Sequence, residues 1–221
     1  MNLKSFGCSF IFGSELADAT CISKAVIPSE TSYAAHLAHR FGYDYQCYGR
    51  PGSGNLQIAE QVLSHIVRDT PALFVIGWTW IDRFDYWTDE PTWYGTNWQT
   101  IMPVDTDALA CAYYKDLHSQ YCDKLMTLMT IKLVIDTLKQ YNQKFIMTYM
   151  DDLIFETEWH TTPAIIILQD YIKPYMTTFE GMTFLDWSRK NGYPETEQGH
   201  PLEEAHAAAA DYILELGVYK V

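Results

Sequence analysis

Hydrophobic and polar positions switch repeatedly between a period of two and a period near 3.6. Leu3 to Cys8 is a short, mostly apolar run that reads as a strand. In Thr31 to Phe41, Tyr33, Ala34, Leu37, Ala38 and Phe41 recur at helical spacing, and Gly42 ends the segment. Asp44 to Tyr48 reads as a second strand. After the tight Gly49-Arg50-Pro51-Gly52-Ser53-Gly54 loop, Asn55 caps a predicted helix to about Val67, with Ile58, Val62, Leu63 and Ile66 on one face. Ala72 to Gly77 is continuously apolar, as in a strand covered on both faces. The pattern then fails from Trp78 to about Asp107. There Trp78, Trp80, Tyr86, Trp87, Trp93, Tyr94 and Trp98 are interrupted by two prolines, which predicts a long loop or insertion of the kind that often carries binding function. Beyond it, Asp107 to Tyr141 predicts one long helix or two in series, Lys144 to Tyr149 a strand and Pro163 to Tyr171 a helix. Met182 to Leu185 reads as a last short strand, and Pro201 to Leu216 as a final helix with Pro201 at its first position.

This alternation predicts a three-layer α/β/α sandwich with a mainly parallel, five-stranded, flavodoxin-like sheet. Its 221 residues, 48% hydrophobic, suffice for one core, so a single domain over 1–221 is expected, with an aromatic-rich insertion at about 78–107. The formal charge of −13 repels phosphate backbones and argues against a nucleic-acid partner. No apolar run is long enough to cross a bilayer, and Met1 to Ser5 lacks the apolar run of a secretory leader. The five cysteines include no CxxC pair, which fits free thiols in a reducing compartment. A cytoplasmic protein without a membrane partner is expected; its oligomeric state is left open.

Candidate chemistry starts at Ser5-Phe6-Gly7-Cys8-Ser9-Phe10. Ser9 follows the first strand, and in open α/β sheets ligands bind at the strands' carboxyl ends. Its hydroxyl is a nucleophile if a base lies beside it, and otherwise a turn or capping serine. His200 lies in Glu197-Gln198-Gly199-His200-Pro201-Leu202. Glu197 can hold its Nδ1–H and leave Nε2 to take the proton of Ser9; the plainer reading is a loop histidine with an unrelated glutamate nearby. His206 falls inside the last helix in a structural role. The Gly52-Ser53-Gly54-Asn55 turn either offers a backbone N–H to an anion at a helix start or is an ordinary turn. Arg83, between Asp82 and Asp85, reaches into the crevice for a substrate carboxylate, pins the loop, or forms a solvated ion pair. Asp151 and Asp152 suit a metal, a sugar hydroxyl or a helix cap. His36 with His39, and His118 with Cys122, share helix faces without a third ligand, so no metal is expected. The loop at 49–54 lacks the Lys-Ser/Thr pair of a phosphate-binding loop, and no cofactor is implied.

In this order and spacing these segments resemble the SGNH (GDSL-type) hydrolase superfamily. The resemblance implies that Ser9 is the nucleophile, with Cys8 where the family has aspartate. It implies that Gly54, or alternatively Gly52, donates its N–H to the oxyanion together with Ser9. Gly77-Trp78-Thr79-Trp80 matches the family's asparagine-bearing turn, so the Thr79 hydroxyl stands as the third oxyanion donor with a shorter reach than an amide, and Asn55 or an indole N–H of Trp78 or Trp80 is the alternative. Glu197-x-x-His200 stands in for Asp-x-x-His. The implied activity is that of a serine esterase or deacetylase on small acyl esters, such as acetyl groups on a carbohydrate, with Ser9, His200 and Glu197 catalytic and Trp78, Trp80 and Arg83 against the substrate. The competing expectation is a non-catalytic binding or structural protein on this scaffold with a degraded oxyanion hole, or one whose aromatic segment is an oligomer interface.

Overall fold

A computed structural model describes residues 1–22, 25–66, 70–91 and 95–217. The first half contains β1 (Asn2–Gly7), α1 (Ser9–Phe12), β2 (Thr20–Ile22), β3 (Ala25–Ile27), α2 (Tyr33–Phe41), β4 (Asp44–Cys47), α3 (Asn55–Ser64) and β5 (Ala72–Trp78). The second contains β6 (Phe84–Trp87), β7 (Trp98–Ile101), α4 (Ala108–Asp116), α5 (Gln120–Gln140), β8 (Lys144–Tyr149), α6 (Pro163–Ile172), α7 (Phe184–Lys190) and α8 (Glu203–Leu216). Val67, Trp93 and Tyr94 lie outside the described residues.

The central sheet is parallel, in the order β4-β1-β5-β8. Strand parity sorts its side chains into two cores. Phe6, Phe74, Ile76, Trp78, Phe145 and Met147 face α3, α5 and α6, where Ile58, Ile131, Ile135 and Ile165 meet them. Leu3, Leu73, Val75 and Ile146 point the other way, onto α1, α2, α7 and α8 through Ile11, Leu37, Phe184 and Ala209. This is the expected three-layer α/β/α sandwich.

The sheet has four strands rather than five. Met182 pairs only with Phe179 in an isolated bridge, and Thr183 starts a helix: its side chain accepts from Asp186 N–H and its hydroxyl donates to the Asp186 carboxylate at 2.6 Å, a reciprocal cap. What remains at the edge beside β8 is a single parallel bridge at Met176, with Thr177 N–H donating to Met147 O at 2.7 Å. The 107–141 segment is two helices, because Ser119 caps a new start. Pro201 is not the first residue of α8; it pairs with Glu195 in a bridge, and the helix begins at Glu203. Within the aromatic segment, β6 and β7 form an antiparallel hairpin from Phe84↔Ile101 to Trp87↔Trp98. Its base is tied to α4 by Tyr114 OH, which donates to Asp82 O at 2.6 Å.

Two glycines bring the Ser9 turn onto the sheet edge. Gly7 and Gly77 are register partners at the ends of β1 and β5. A Cβ on Gly7 would lie 2.4 Å from Ile11 Cγ1, and one on Gly77 2.8 Å. Only glycine lets α1 sit this close to the strand ends.

Candidate active site

Ser9 opens α1 directly after β1, with Cys8 at the capping position. It is buried at 7% exposure, yet its hydroxyl lines a cleft of about 860 Å³ at the carboxyl edge of the sheet. His200 comes from the opposite end of the sequence, in the turn before α8. Its Nε2 is 2.9 Å from Ser9 Oγ, so the predicted serine–histidine pair is brought together.

The carboxylate behind the histidine is a different one from that expected. His200 Nδ1 lies 2.5 Å from Glu15 Oε2, whereas Glu197 is exposed and has no hydrogen bond to the imidazole among the described residues. The reason is local geometry: the 196–200 turn is closed by Thr196 N–H to His200 O (2.9 Å) and Gly199 N–H to Thr196 O (3.0 Å). In it Thr196, not Glu197, faces the histidine. Thr196 Oγ1 accepts from His200 N–H at 3.2 Å and donates to Glu15 Oε2 at 2.6 Å. Glu15 itself has φ of +68°, a left-handed conformation that non-glycine residues adopt at a cost of roughly 1 kcal/mol or more. Burial pushes its carboxyl up, but the hydrogen bonds from Thr196 and His200 and the histidine's charge outweigh that, and its pKa is held below the ordinary value. An ionised Glu15 accepts only, so Nδ1 carries the proton and Nε2 offers a lone pair to Ser9 O–H. A serine so connected can lose its proton to the imidazole as it attacks a carbonyl. Sequence reasoning missed Glu15; the one available signal was its place in the turn directly behind the helix that Ser9 opens.

The expected oxyanion donors are arranged differently. Gly54 N–H donates to Asp85 Oδ1 at 3.0 Å, and Gln57 N–H to Asp85 Oδ2 at 2.8 Å. Asp85, on β6, therefore caps α3 from the hairpin, and Thr100 Oγ1 on β7 donates to it at 2.5 Å. A Cβ on Gly54 would lie 2.5 Å from both Asp85 oxygens. Burial raises the Asp85 pKa, against the pull of these donors. Thr79 Oγ1 is buried with no partner among the described residues, and Thr79 does not line the cleft. Asn55 is engaged in holding that turn: its Oδ1 accepts from Thr79 N–H at 2.8 Å and its Nδ2 donates to Thr79 O at 3.1 Å. Asp151 pins the same turn through Ile81 N–H (2.9 Å) and caps the short helix at Asp152–Ile154. Gly52, the alternative glycine, does line the cleft, with φ of +82°.

Of the three residues expected against the substrate, two are at the cleft. Trp80 packs on Phe10, which packs in turn on His200; Arg83 stacks on Trp80 and donates to Ser53 O. Trp78 is not there. It is the last residue of β5 with the parity of Phe74 and Ile76, and its indole is fully buried in the α3–α5 core.

A parallel sheet with a serine after its first strand, a glycine turn after β4 and a histidine turn before the last helix has the SGNH-hydrolase fold. Solved structures share it over nearly the whole of this chain. The chain is similar to a member of the lipolytic G-D-S-L family from Veillonella parvula DSM 2008, at 13% identity over 98% of this chain and 97% of that one, with a TM-score of 0.52. It is similar to the psychrotrophic esterase EstA from Pseudoalteromonas sp., at 8% identity over 97% and 94%, TM-score 0.52. It is also similar to a carbohydrate esterase whose active site is described as having divergent catalytic and non-catalytic binding functions, at 13% identity over 98% of this chain and 68% of that one, TM-score 0.54. No sequence family matches the chain, and no curated protein matches it in sequence. Among the described residues no helix is long and apolar enough to cross a membrane.

Proposed function

We propose that this protein is a serine esterase that removes small acyl groups through Ser9, His200 and Glu15. The observation that carries the reading is the continuous relay from Ser9 Oγ through His200 Nε2 (2.9 Å) and Nδ1 to Glu15 (2.5 Å), opening on a cleft. His200 takes the proton of Ser9 as its oxygen attacks the ester carbonyl, and returns it to the departing alcohol. Water then attacks the acyl-enzyme with His200 as base. The Ser9 N–H supports the tetrahedral oxyanion, with Gly52 as the second backbone donor in place of Gly54. Acetyl-type esters on a carbohydrate fit the small nucleophile turn and the indole of Trp80, and a carbohydrate esterase among the similar structures supports that class.

A second reading has its own observation. With Gly54 N–H held by Asp85 and Thr79 where an asparagine donor was expected, the oxyanion site has lost two donors of the family pattern. One such donor is worth about 3 kcal/mol, or ~100- to 1000-fold in rate. A site this depleted supports a protein that binds an ester or sugar without turning it over. A fluorophosphonate probe separates the two. The esterase reading expects Ser9 to be labelled, with labelling and hydrolysis of p-nitrophenyl acetate both lost in Ser9→Ala. Folded protein that is neither labelled nor active above that variant would establish the binding reading instead.

A further inference from the structure

Arg83 stands on the wall of the same cleft as Ser9 and His200. Its guanidinium lies 4.8 Å from the Trp80 ring centroid, and Nη1 donates to Ser53 O at 3.0 Å. One edge of the fork is thus fixed and its plane is set by the indole. No carboxylate lies within ion-pair distance of it among the described residues. Other cations of this chain do have one: Arg40 pairs with Asp211, Lys124 with Glu156, Lys190 with Glu180 and Arg189 with Glu195. With 28 acidic residues against 15 basic, a direct carboxylate partner is the easiest thing for this sequence to supply, yet among the described residues Arg83 has none in contact and meets only the field of the neighbouring Asp82.

Arg50, behind the cleft wall, is a second guanidinium without a carboxylate in contact among the described residues, and feels Glu60 only at a distance. It precedes the Pro51-Gly52 turn that walls the cleft, and lines a side pocket of about 100 Å³ that shares Pro51, Gly52 and Met102 with it. Its Nη1 is buried without a partner among the described residues. The acidic groups in the cleft are already engaged, Glu15 by His200 and Thr196 and Asp186 by the Thr183 hydroxyl. A planar guanidinium, held by stacking with a free edge, is suited to a carboxylate in a way that a flexible ammonium is not.

We propose that Arg83, backed by the charge of Arg50, is a carboxylate subsite, and that the ester presented to Ser9 carries a carboxylate of its own. The inference rests on the esterase reading for its substrate, but the subsite is testable without turnover. The carboxylate can belong to the acyl group or to the alcohol, and two substrate pairs distinguish these: the p-nitrophenyl monoester of adipate against p-nitrophenyl hexanoate, and m-acetoxybenzoate against phenyl acetate. The expected result is a preference in kcat/KM of about 10-fold or more for the charged member of one pair, the scale of one charge-assisted hydrogen bond. That preference should collapse in Arg83→Met and survive in part in Arg83→Lys. Equal or better turnover of the neutral member in both pairs, or a preference that persists in Arg83→Met, overturns the subsite. If Ser9 proves inert and none of the four esters is cleaved, the esterase reading fails on its own, and calorimetric titration with adipate decides the subsite. Binding weakened about 10-fold or more by Arg83→Met supports it, and no binding to the unsubstituted protein overturns it.

Discussion

Glu15 fixes the imidazole from behind, and its removal should be felt in the chemical step rather than in folding. Glu15→Gln leaves an amide that can present either face to Nδ1 and weakens the hold on the productive tautomer. The expected loss in kcat is about 100- to 10,000-fold, the range over which orienting carboxylates act in such relays. Glu197→Gln, on the exposed side of the turn, should stay within about twofold. Steady-state kinetics on p-nitrophenyl acetate checks both, and a large effect at Glu197 with none at Glu15 would reverse the assignment. Thr196→Val removes the hydroxyl that joins Glu15 to the His200 N–H. It should cost about tenfold in kcat, with Thr196→Ser recovering most of it. The sequence showed Ser9 and His200 because each sits in a local pattern tied to the end of an element. It hid Glu15 because the contact spans 185 positions and leaves no local spacing to read. A glutamate three residues before the histidine was the nearest substitute. Trp78 was readable in principle: strand parity puts it with Phe74 and Ile76, inside.

At the scale of elements, the hairpin is fastened to α3 chiefly by the buried Asp85, and Thr100 Oγ1 also reaches Gln57 Oε1 of α3 at 3.4 Å. Asp85 accepts from Gly54 N–H, Gln57 N–H and Thr100 Oγ1, so Asp85→Ala leaves two helix-terminal amides without an acceptor and the hydroxyl with only its longer contact to Gln57. The expected cost is about 2 kcal/mol or more, read as a lower urea midpoint with an unchanged slope. Thr100→Val should cost less, since only one of three donors is lost. The same scale explains where the pattern of apolar residues succeeded. β1, α2, β5, β8 and α6 were legible because burial on one or both faces dictates their periodicity. The supposed fifth strand at Met182–Leu185 failed because four residues are too few to separate the two periods. The decisive signal was Thr183-x-x-Asp186, which nucleates a helix. The β6–β7 hairpin escaped notice because its strands are four residues each and its aromatics face both solvent and α4.

For the whole molecule, His206 ties together three helices of one layer, α2, α7 and α8. It lies fully buried in α8, its Nδ1 accepts from Tyr33 N–H at the start of α2 (3.1 Å), and its ring packs against Tyr33 and Phe184. Burial, reinforced by the nearby positive charge of His36, pushes its pKa down to about 3. The unfolded chain binds a proton on this residue below about pH 6.5 and the folded chain does not. Stability therefore rises with pH between about 3 and 6.5, is fully present above that window, and is lost as pH falls through it. Urea midpoints measured at several pH values should show a slope that flattens in His206→Gln, although that variant is less stable at neutral pH. An unchanged slope would place the dependence on carboxylates instead.

The relay joins chain segments that are far apart in time as well as in sequence. Ser9 and Glu15 leave the ribosome well before their partner, which follows 191 residues behind the serine. A ribosome-bound chain that has exposed β1, α1 and even most of the sheet carries Ser9 without the imidazole beside it. On the esterase reading, that serine becomes reactive only when the turn at 196–200 brings His200 to it. Because long-range contacts form late, activity appearing during translation would report completion of the fold, and arrested chains ending before Thr196 should remain silent toward a serine-directed probe.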